Sequence, residues 1–498
     1  MTKICLCLTG KTIERNLEVL SKYQPYIDLA ELRVDYLDYN EQFYVRKFPS
    51  LAGVPIILTI RRKVDGGNYE RGESSRIVLL SKALAYAQSD RRKNFAYVDL
   101  EEDLDVPGLE DASRAFGTRI IRSFHDFTGV PPNIAERIRS LSHVGDEIVK
   151  AAVMINSCDD ITTLFKVSKE LKDLEKIILG IGDAGSCTRI LAAKFDACLT
   201  YTSAKYEDDF SMGAPGQLDP KELSETYRFR SINKNTAIYG ITGYPLSSTG
   251  SPALHNAGYG MDNINAVYVP FPSKTVSSFL QMADEIGMEG ASVTVPHKET
   301  ILEHLSKMTD EVRSVGACNT ILRTPNGWEG YNTDTHGFSD SLLNFIGQKD
   351  IRWTHITIIG AGGAAMAVAA ELHRLKAKVL IVNRNKRRAC ELAERYNFKW
   401  DVISEDCVKR IKKYSNIIIQ TTSCGMEPNI DDDPLPYYKF NGKEIVMDII
   451  YKPERTKFLL RAEEAGCRVI SGYDMLMRQG KHQYSLFMKK DYPEPQRA

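Results

Sequence analysis

The sequence predicts an α/β protein with an N-terminal (β/α)8 barrel, followed by a two-part unit that contains a Rossmann-type sheet. Three observations carry this reading. Up to about residue 220, short β-branched runs alternate with amphipathic helical stretches, as βα units around a parallel sheet require. The alternation stops at a polar, charged segment and restarts at Thr236-Ala237-Ile238-Tyr239-Gly240. Farther on, the apolar run ending in Ile358-Ile359 feeds the glycine-rich turn Gly360-Ala361-Gly362-Gly363-Ala364-Ala365, which opens a dinucleotide-type βα unit.

Taken in order, the first eight strands are expected at Lys3–Thr9, Asp28–Asp35, Val54–Arg61, Phe95–Glu101, Thr118–His125, Glu147–Val153, Lys176–Gly182 and Cys198–Ser203. Eight βα units in about 220 residues fit a small TIM barrel, whose active site lies at the C-terminal strand ends. The expected domains are 1–220 for the barrel, 221–235 for a linker, 236–340 for a substrate-binding domain and 341–470 for the Rossmann domain. A C-terminal helical segment, 471–498, is expected to pack back on the substrate domain.

Composition narrows the function classes. The 65 lysines and arginines balance 65 aspartates and glutamates, so no overall positive field attracts nucleic acid or an anionic membrane. The ten cysteines include no CxxC pair, which argues against a disulfide framework or a metal site. No apolar run reaches membrane-spanning length, and the N-terminus runs straight into a strand. A cytoplasmic protein acting on small molecules is the expectation, with oligomeric state unreadable.

Polar residues on the apolar barrel strands carry the first site, because an ionisable group inside a barrel is costly unless paired or functional. Glu31 and Arg33 share a strand face, Arg61 ends the third strand, His125 ends the fifth and Lys150 lies in the sixth. A desolvated lysine near arginines would offer a neutral amine to a ketone, with His125 moving the proton. The alternative is a structural ion-pair layer with His125 capping a strand.

Glu31-Leu32-Arg33-Val34-Asp35, Thr59-Ile60-Arg61, Ser123-Phe124-His125-Asp126-Phe127, Ile148-Val149-Lys150-Ala151-Ala152 and Ala214-Pro215-Gly216-Gln217 resemble the type I 3-dehydroquinate dehydratases. The resemblance runs from Ile4 to about Gln217. It implies an imine between Lys150 and the C3 ketone of 3-dehydroquinate, with His125 removing the C2 proton and protonating the departing C1 hydroxyl. Glu31, Arg33 and Arg61 would hold ring hydroxyls, Arg189 would take the carboxylate, and Gln217 would close the site. Asp65 stands where the family has a glutamate that orients the histidine. Gly213 stands where it has a loop serine, so one substrate hydrogen bond is either missing or supplied by Ser211.

In the second half, hydroxyl residues crowd a turn at Ser247-Ser248-Thr249-Gly250-Ser251-Pro252 before a helix, a setting that suits a carboxylate or is simply an N-cap turn. Thr294 and Lys298 follow, then Asn319, then Asp334. A lysine beside an aspartate is what carbonyl reduction needs. These segments, continuing to Tyr451 and Gln479, resemble shikimate dehydrogenase across residues 236–490. The resemblance implies a Lys298–Asp334 catalytic pair, with Thr249, Ser251, Thr294, Asn319, Tyr451 and Gln479 on the carboxylate and hydroxyls of 3-dehydroshikimate or shikimate. Ser248 and Ser292 depart from the family's usual residues, and His255 and His297 are expected to be structural.

The turn Gly360, Ala361, Gly362, Gly363 and Ala364 fits a pyrophosphate at a helix N-terminus, with Ile449, Gly425 and Gly472 on the nicotinamide side. An NAD enzyme carries an acid about 20 residues beyond such a turn, but this chain has Asn383 followed by Arg384 and, later, Arg388. NADP(H) is therefore the expected cofactor. Together the two halves imply two consecutive shikimate-pathway steps. The rivals are a quinate/shikimate dehydrogenase in the second half and a non-catalytic sensor of quinate-like ligands.

Overall fold

The structure, a computed structural model, describes residues 1–85, 90–204, 215–246, 249–348 and 350–494. Ser211, Gly213 and Ser248, singled out in the sequence, lie outside the described residues. Contacts divide the chain into two compact units, Met1–Ile238 with Asn263–Met288, and Tyr239–Asp262 with Glu289–Ala498.

In the first unit the eight expected strands all form, each within two residues of its expected ends. They are β1 (Lys3–Leu8), β2 (Leu29–Arg33), β3 (Ile56–Thr59), β4 (Tyr97–Glu101), β5 (Arg119–Asp126), β6 (Ile148–Met154), β7 (Lys176–Ile181) and β8 (Leu199–Ser203). Neighbours pair in parallel in the order β7-β6-β5-β4-β3-β2-β1-β8. At the seam between β7 and β8 a single bridge, Lys176 to Ala197, brings the ends of the sheet together. Cys5, Leu29, Ile57, Ile121, Ile148, Ile177, Leu199 and Tyr201 fill the barrel interior. Their burial leaves the polar residues one or two positions farther along each strand at the C-terminal mouth, because side chains on one face repeat every second residue.

Residues 221–235 bury Leu223, Tyr227, Phe229 and Ile232. They form a short helix, Pro220–Glu225, tied to the barrel by Tyr23 Oη donating to Asp219 at 2.6 Å and by Arg230 to Asp28 at 2.9 Å.

β9 (Ala237–Gly243) opens the second half, while β10 (Ala266–Pro272) and the helix Val276–Ile286 group with the first unit. There Glu285 on that helix faces Lys166 and Lys169 of the helix Cys158–Glu170, at 3.6 and 3.3 Å. The second unit carries β11 (Met288–Val293), β12 (Lys307–Met308), β13 (Thr320–Thr324) and β14 (Gly327–Tyr331), with β9, β11, β13, β14 and β12 following one another in a mixed sheet. A separate parallel sheet follows, with β15 (His355–Ile359), β16 (Lys378–Asn383), β17 (Lys399–Val402), β18 (Ile417–Gln420), β19 (Ile445–Asp448) and β20 (Arg468–Ile470). Its order, β17-β16-β15-β18-β19-β20, is doubly wound, and the strand order reverses direction at β15, where the glycine turn leaves the sheet. The C-terminal helix Gly472–Met488 anchors to the mixed sheet through Gln483, whose amide donates to Thr320 Oγ1 at 2.9 Å and accepts from Ser292 Oγ at 2.8 Å.

Candidate active site

At the barrel mouth the register aligns Thr59 with Asp99, and Glu101 with Ser123 and Lys150. Lys150 is buried, and its Nζ donates to Asp99 Oδ2 at 2.8 Å, with Glu31 Oε1 at 4.0 Å. Its nearest charged neighbours are therefore carboxylates, which revises the expectation of a lysine set mainly among arginines. Arg61 follows β3 by two residues rather than ending it, and is itself clamped. Its guanidinium meets Asp99 Oδ1 at 2.8 Å, Glu101 Oε1 at 2.7 Å and Ser123 Oγ at 3.1 Å. A tight backbone approach shapes this corner, since a Cβ on Gly67 would lie 2.2 Å from the Arg61 carbonyl oxygen. Arg33 forms a two-pronged pair with Asp35 at 2.8 and 3.0 Å, and Glu31 accepts from Thr59 Oγ1 at 2.8 Å and from the Cys7 thiol at 3.2 Å.

His125 is half-buried at the end of β5, and its Nδ1 has no hydrogen-bond partner among the described residues. Burial, then the positive charges of Arg61 and Lys150, hold it well below the ordinary histidine range, so it is neutral at pH 7. Asp65 does not reach it. That carboxylate instead accepts from Arg62 Nε at 2.6 Å, and Arg62 also grips Asp103. Burial would raise the Asp99 carboxyl, but Arg61 and Lys150 outweigh it and hold the group well below the usual carboxylate range. Arg189, in the short helix Ser186–Ile190, is 2% exposed, and its Nε and Nη1 have no partner among the described residues. Burial pushes it down to about 10, which leaves it charged at neutral pH. Gln217 is half-buried, with its amide 3.6 Å from Cys7 Sγ and its Oε1 unbonded.

In the second unit Lys298 Nζ meets Asp334 Oδ2 at 2.5 Å. Asp334 opens the helix Asp334–Ile346, where the free amides of the first turn favour a carboxylate. Its other oxygen accepts from Asn319 Nδ2 at 2.8 Å, and Asn319 also bonds Thr333 Oγ1 at 2.9 Å and lies 3.5 Å from Gln479 Oε1. Lys298, Asp334, Asn319, Thr333 and Gln479 therefore form one connected cluster. Thr249 and Ser251 bond each other, Oγ1 to Oγ at 3.2 Å, and Thr294 is half-buried, held by its own amide to the Thr242 carbonyl at 2.9 Å. Tyr451 is half-buried in the turn after β19. His255 is fully buried, and burial pushes it down to about 3, so it is a neutral core residue.

The glycine turn reaches the same cluster, because a Cβ on Gly363 would lie 3.1 Å from Lys298 Cδ. Gly360 takes φ +119°, which favours glycine, and a Cβ on Gly362 would meet nothing within 4 Å. The helix Gly363–Arg374 has no acid in its first turn, so its amides face outward without a competing carboxylate. Beyond β16, Asn385 caps the helix Lys386–Arg395 by accepting from Arg388 N at 3.1 Å, and Asn383 Nδ2 donates to the Asn385 carbonyl at 3.1 Å. Arg384 and Arg388 are exposed, with no ion pair among the described residues, whereas Arg387 pairs with Glu391. These residues fit a dinucleotide with a 2′-phosphate. Gly472 packs against the Ile449 carbonyl, where a Cβ would lie 2.0 Å away.

Sequence reasoning missed Asp99, Glu101 and Ser123, which bind Lys150 or Arg61, and Asp448. The last is fully buried, and burial pushes it up to about 7 against the pull of the Ile450 amide at 2.9 Å and Thr456 Oγ1 at 2.7 Å. Asp99 and Glu101 carried a signal, since two acids two apart on one apolar strand share a face. Glu110, His143 and Glu147 gather ligand atoms within 4.8 Å outside both sites, but Arg122 and Arg114 already pair with the two acids.

The family model for type I 3-dehydroquinase matches residues 4–234, the shikimate dehydrogenase substrate binding domain matches 241–321, and shikimate / quinate 5-dehydrogenase matches 345–444. A bifunctional 3-dehydroquinate dehydratase/shikimate dehydrogenase, chloroplastic, from Arabidopsis thaliana is 30% identical over 503 residues, 97% of this chain and 81% of the relative. A shikimate dehydrogenase (NADP(+)) from Caldanaerobacter subterraneus is 32% identical over 52% of this chain and 96% of its own. The crystal structure of shikimate dehydrogenase from Aquifex aeolicus has a TM-score of 0.48 at 31% identity, covering 53% of this chain and 96% of its own. With one relative matched along nearly the whole chain and each half matched by its own model, the chain belongs to the bifunctional 3-dehydroquinate dehydratase/shikimate dehydrogenase family.

Proposed function

We propose that the chain carries out both reactions of its family, dehydrating 3-dehydroquinate to 3-dehydroshikimate in the barrel and reducing that product to shikimate with NADPH in the second unit. The buried, unpaired Arg189 supports the first assignment most directly. A charged guanidinium buried with Nε and Nη1 unbonded among the described residues calls for an anion, and the substrate carboxylate supplies one.

Lys150 Nζ adds to the C3 ketone, and loss of the carbonyl oxygen as water leaves a protonated C=N bond. Asp99 holds the nitrogen in place through the steps that follow. His125, neutral at pH 7, takes the C2 proton, the C2–H electrons form a C2=C3 double bond, and the C=N π electrons move onto nitrogen to give an enamine. The resulting imidazolium returns the proton to the C1 hydroxyl as it leaves as water. Hydrolysis then frees Lys150. Glu31, Arg33, Arg61 and Gln217 bind the ring substituents, with Arg61 and Arg33 held rigid by their acids. Asp65 acts at one remove, by fixing Arg62.

In the second unit, NADPH supplies a hydride when bound. Lys298 donates a proton to the developing alkoxide, and Asp334 holds the ammonium in position. Asn319, Gln479, Thr249, Ser251, Thr294 and Tyr451 bind the carboxylate and hydroxyls. Gly360, Ala361, Gly362, Gly363 and Ala364 line the pyrophosphate, Asn383, Arg384 and Arg388 take the 2′-phosphate, and Ile449 and Gly472 border the nicotinamide. A non-catalytic sensor is not favoured, because Lys150, His125, Lys298 and Asp334 are all present and Lys298 meets Asp334 directly. No helix among the described residues is long and apolar enough to cross a membrane, and all ten cysteines are free, which supports a reducing, cytoplasmic setting.

Five outcomes test these roles. Borohydride added with 3-dehydroshikimate should fix an adduct on Lys150, detected by peptide mass. Lys150→Ala should lose on the order of 10³-fold or more in dehydration while still reducing added 3-dehydroshikimate. An adduct on another lysine overturns the mechanism.

Because the proton acceptor must be neutral and its folded pKa lies below the ordinary 6.5, dehydratase turnover should hold down through pH 6.5 and fall only at lower pH, as His125 gains a proton. A pH–kcat profile with its acid limb at or above 6.5 would refute this assignment.

Lys298→Ala should lower reductase kcat by on the order of 10²–10⁴-fold, the range for a positioned proton donor, while KM for shikimate moves little. Equal loss in both would make Lys298 a binding residue only.

Arg384→Ala should weaken NADPH binding by roughly 10- to 150-fold, equivalent to about 1.5–3 kcal/mol for charged hydrogen bonds, and leave NADH nearly unchanged. Steady-state kinetics with both cofactors decides it. An equal loss for each would place Arg384 in the fold or on the pyrophosphate.

A further inference from the structure

Beneath Lys150 lies an aromatic ring that no part of the mechanism above uses. Tyr201 is on β8, 2% exposed, and its ring centroid is 4.3 Å from Lys150 Nζ. Its hydroxyl has no hydrogen-bond partner among the described residues. A buried phenol that bonds nothing is a cost to the fold, so the hydroxyl does not explain why a large aromatic occupies this position. The ring does. Cys5, its register partner on β1, and Ile148 and Leu199 make the surrounding floor apolar, which excludes water from the contact and strengthens the attraction between a cation and a π-face.

We propose that Tyr201 is a positioning residue of the dehydratase, its ring being the π-face that takes up the charge of the Lys150 nitrogen once it is joined to substrate and has lost N–H donors. This rests on the reading of Lys150 as the imine-forming residue. The ammonium carries three N–H bonds, and the described residues supply only two acids for them, Asp99 at 2.8 Å and Glu31 at 4.0 Å. Once the nitrogen adds to the ketone and water leaves, the iminium keeps its positive charge but only one N–H. Asp99 is the nearer acceptor for that proton, and the ring faces the charge without needing a proton at all. A cation–π surface suits the iminium for this reason. It stabilises the charge through all the steps in which hydrogen-bonding capacity is lost.

The test separates ring electronics from shape. Phenylalanine and its mono-, di- and trifluorinated analogues are installed at position 201 of the full chain, and the fraction of Lys150 fixed by borohydride at saturating 3-dehydroshikimate is read by peptide mass. Fluorination withdraws charge from the π-face while barely changing ring size. Tyr201→Phe should match the natural chain. The saturating imine fraction should then fall stepwise with each fluorine, reaching about 5- to 30-fold in the trifluoro variant, the size of a desolvated cation–π contact. The half-saturating concentration should move little. A fraction that stays flat across the series overturns the inference, as does a fall in Tyr201→Phe itself, which would assign the role to the hydroxyl. If the natural chain gives no adduct on Lys150, the reading of the nucleophile fails instead.

Discussion

A lysine and an arginine held inside a barrel need an anion between them, and in this protein that anion is Asp99. One of its oxygens meets Arg61 and Ser123 while the other meets Lys150, so a single carboxylate fixes the guanidinium and the amine at once. Removing one member of a buried pair typically costs about 3–5 kcal/mol, because the other is left charged and out of water. The network extends to Glu101 and Arg76, the second of which is also buried. The strand register that brings β3, β4, β5 and β6 together is thus bound to the placement of the nucleophile. The barrel cannot slip by a residue without unpairing these charges.

The second unit solves the same problem with different parts. Lys298 has one acid, Asp334, and that acid is oriented by Asn319 rather than by an arginine. Placing Asp334 at a helix start adds the pull of first-turn amides on its carboxylate. The close approach of Gly363 to the Lys298 stem ties this pair to the cofactor turn in the same unit.

Much of this was legible in the sequence, for a physical reason. βα alternation is imposed by burial on both faces of a parallel sheet, so β1 to β8 could be read from β-branched runs alone. Lys150, Lys298 and the glycine turn stood out because each breaks a local pattern. Ser123 did not, since a serine near a strand end is commonplace and its partner lies on another strand, and Asp99 showed only as one of two acids that share a strand face with each other. Tyr201 was hidden more deeply, because an aromatic in a barrel strand is read as core packing. Asp65 shows the opposite failure. Its position in the chain suited an orienting role, but Arg62 lies three residues away and captures it.

Arg61 and Arg189 show how pairing separates the two kinds of buried charge. Both are guanidinium groups no more than 3% exposed in the same barrel, yet one is saturated by acids and the other has Nε and Nη1 atoms with no partner among the described residues. A saturated arginine gains nothing by meeting a carboxylate and loses the bonds it has, so it is suited to hydroxyl groups, whose oxygens accept from the N–H groups at its rim. An unsaturated one carries its desolvation cost in the free protein and recovers it when an anion arrives. The barrel is therefore least stable when empty, and the carboxylate that completes Arg189 also completes the packing of charge around the mouth, which couples occupancy of the site to stability of the fold.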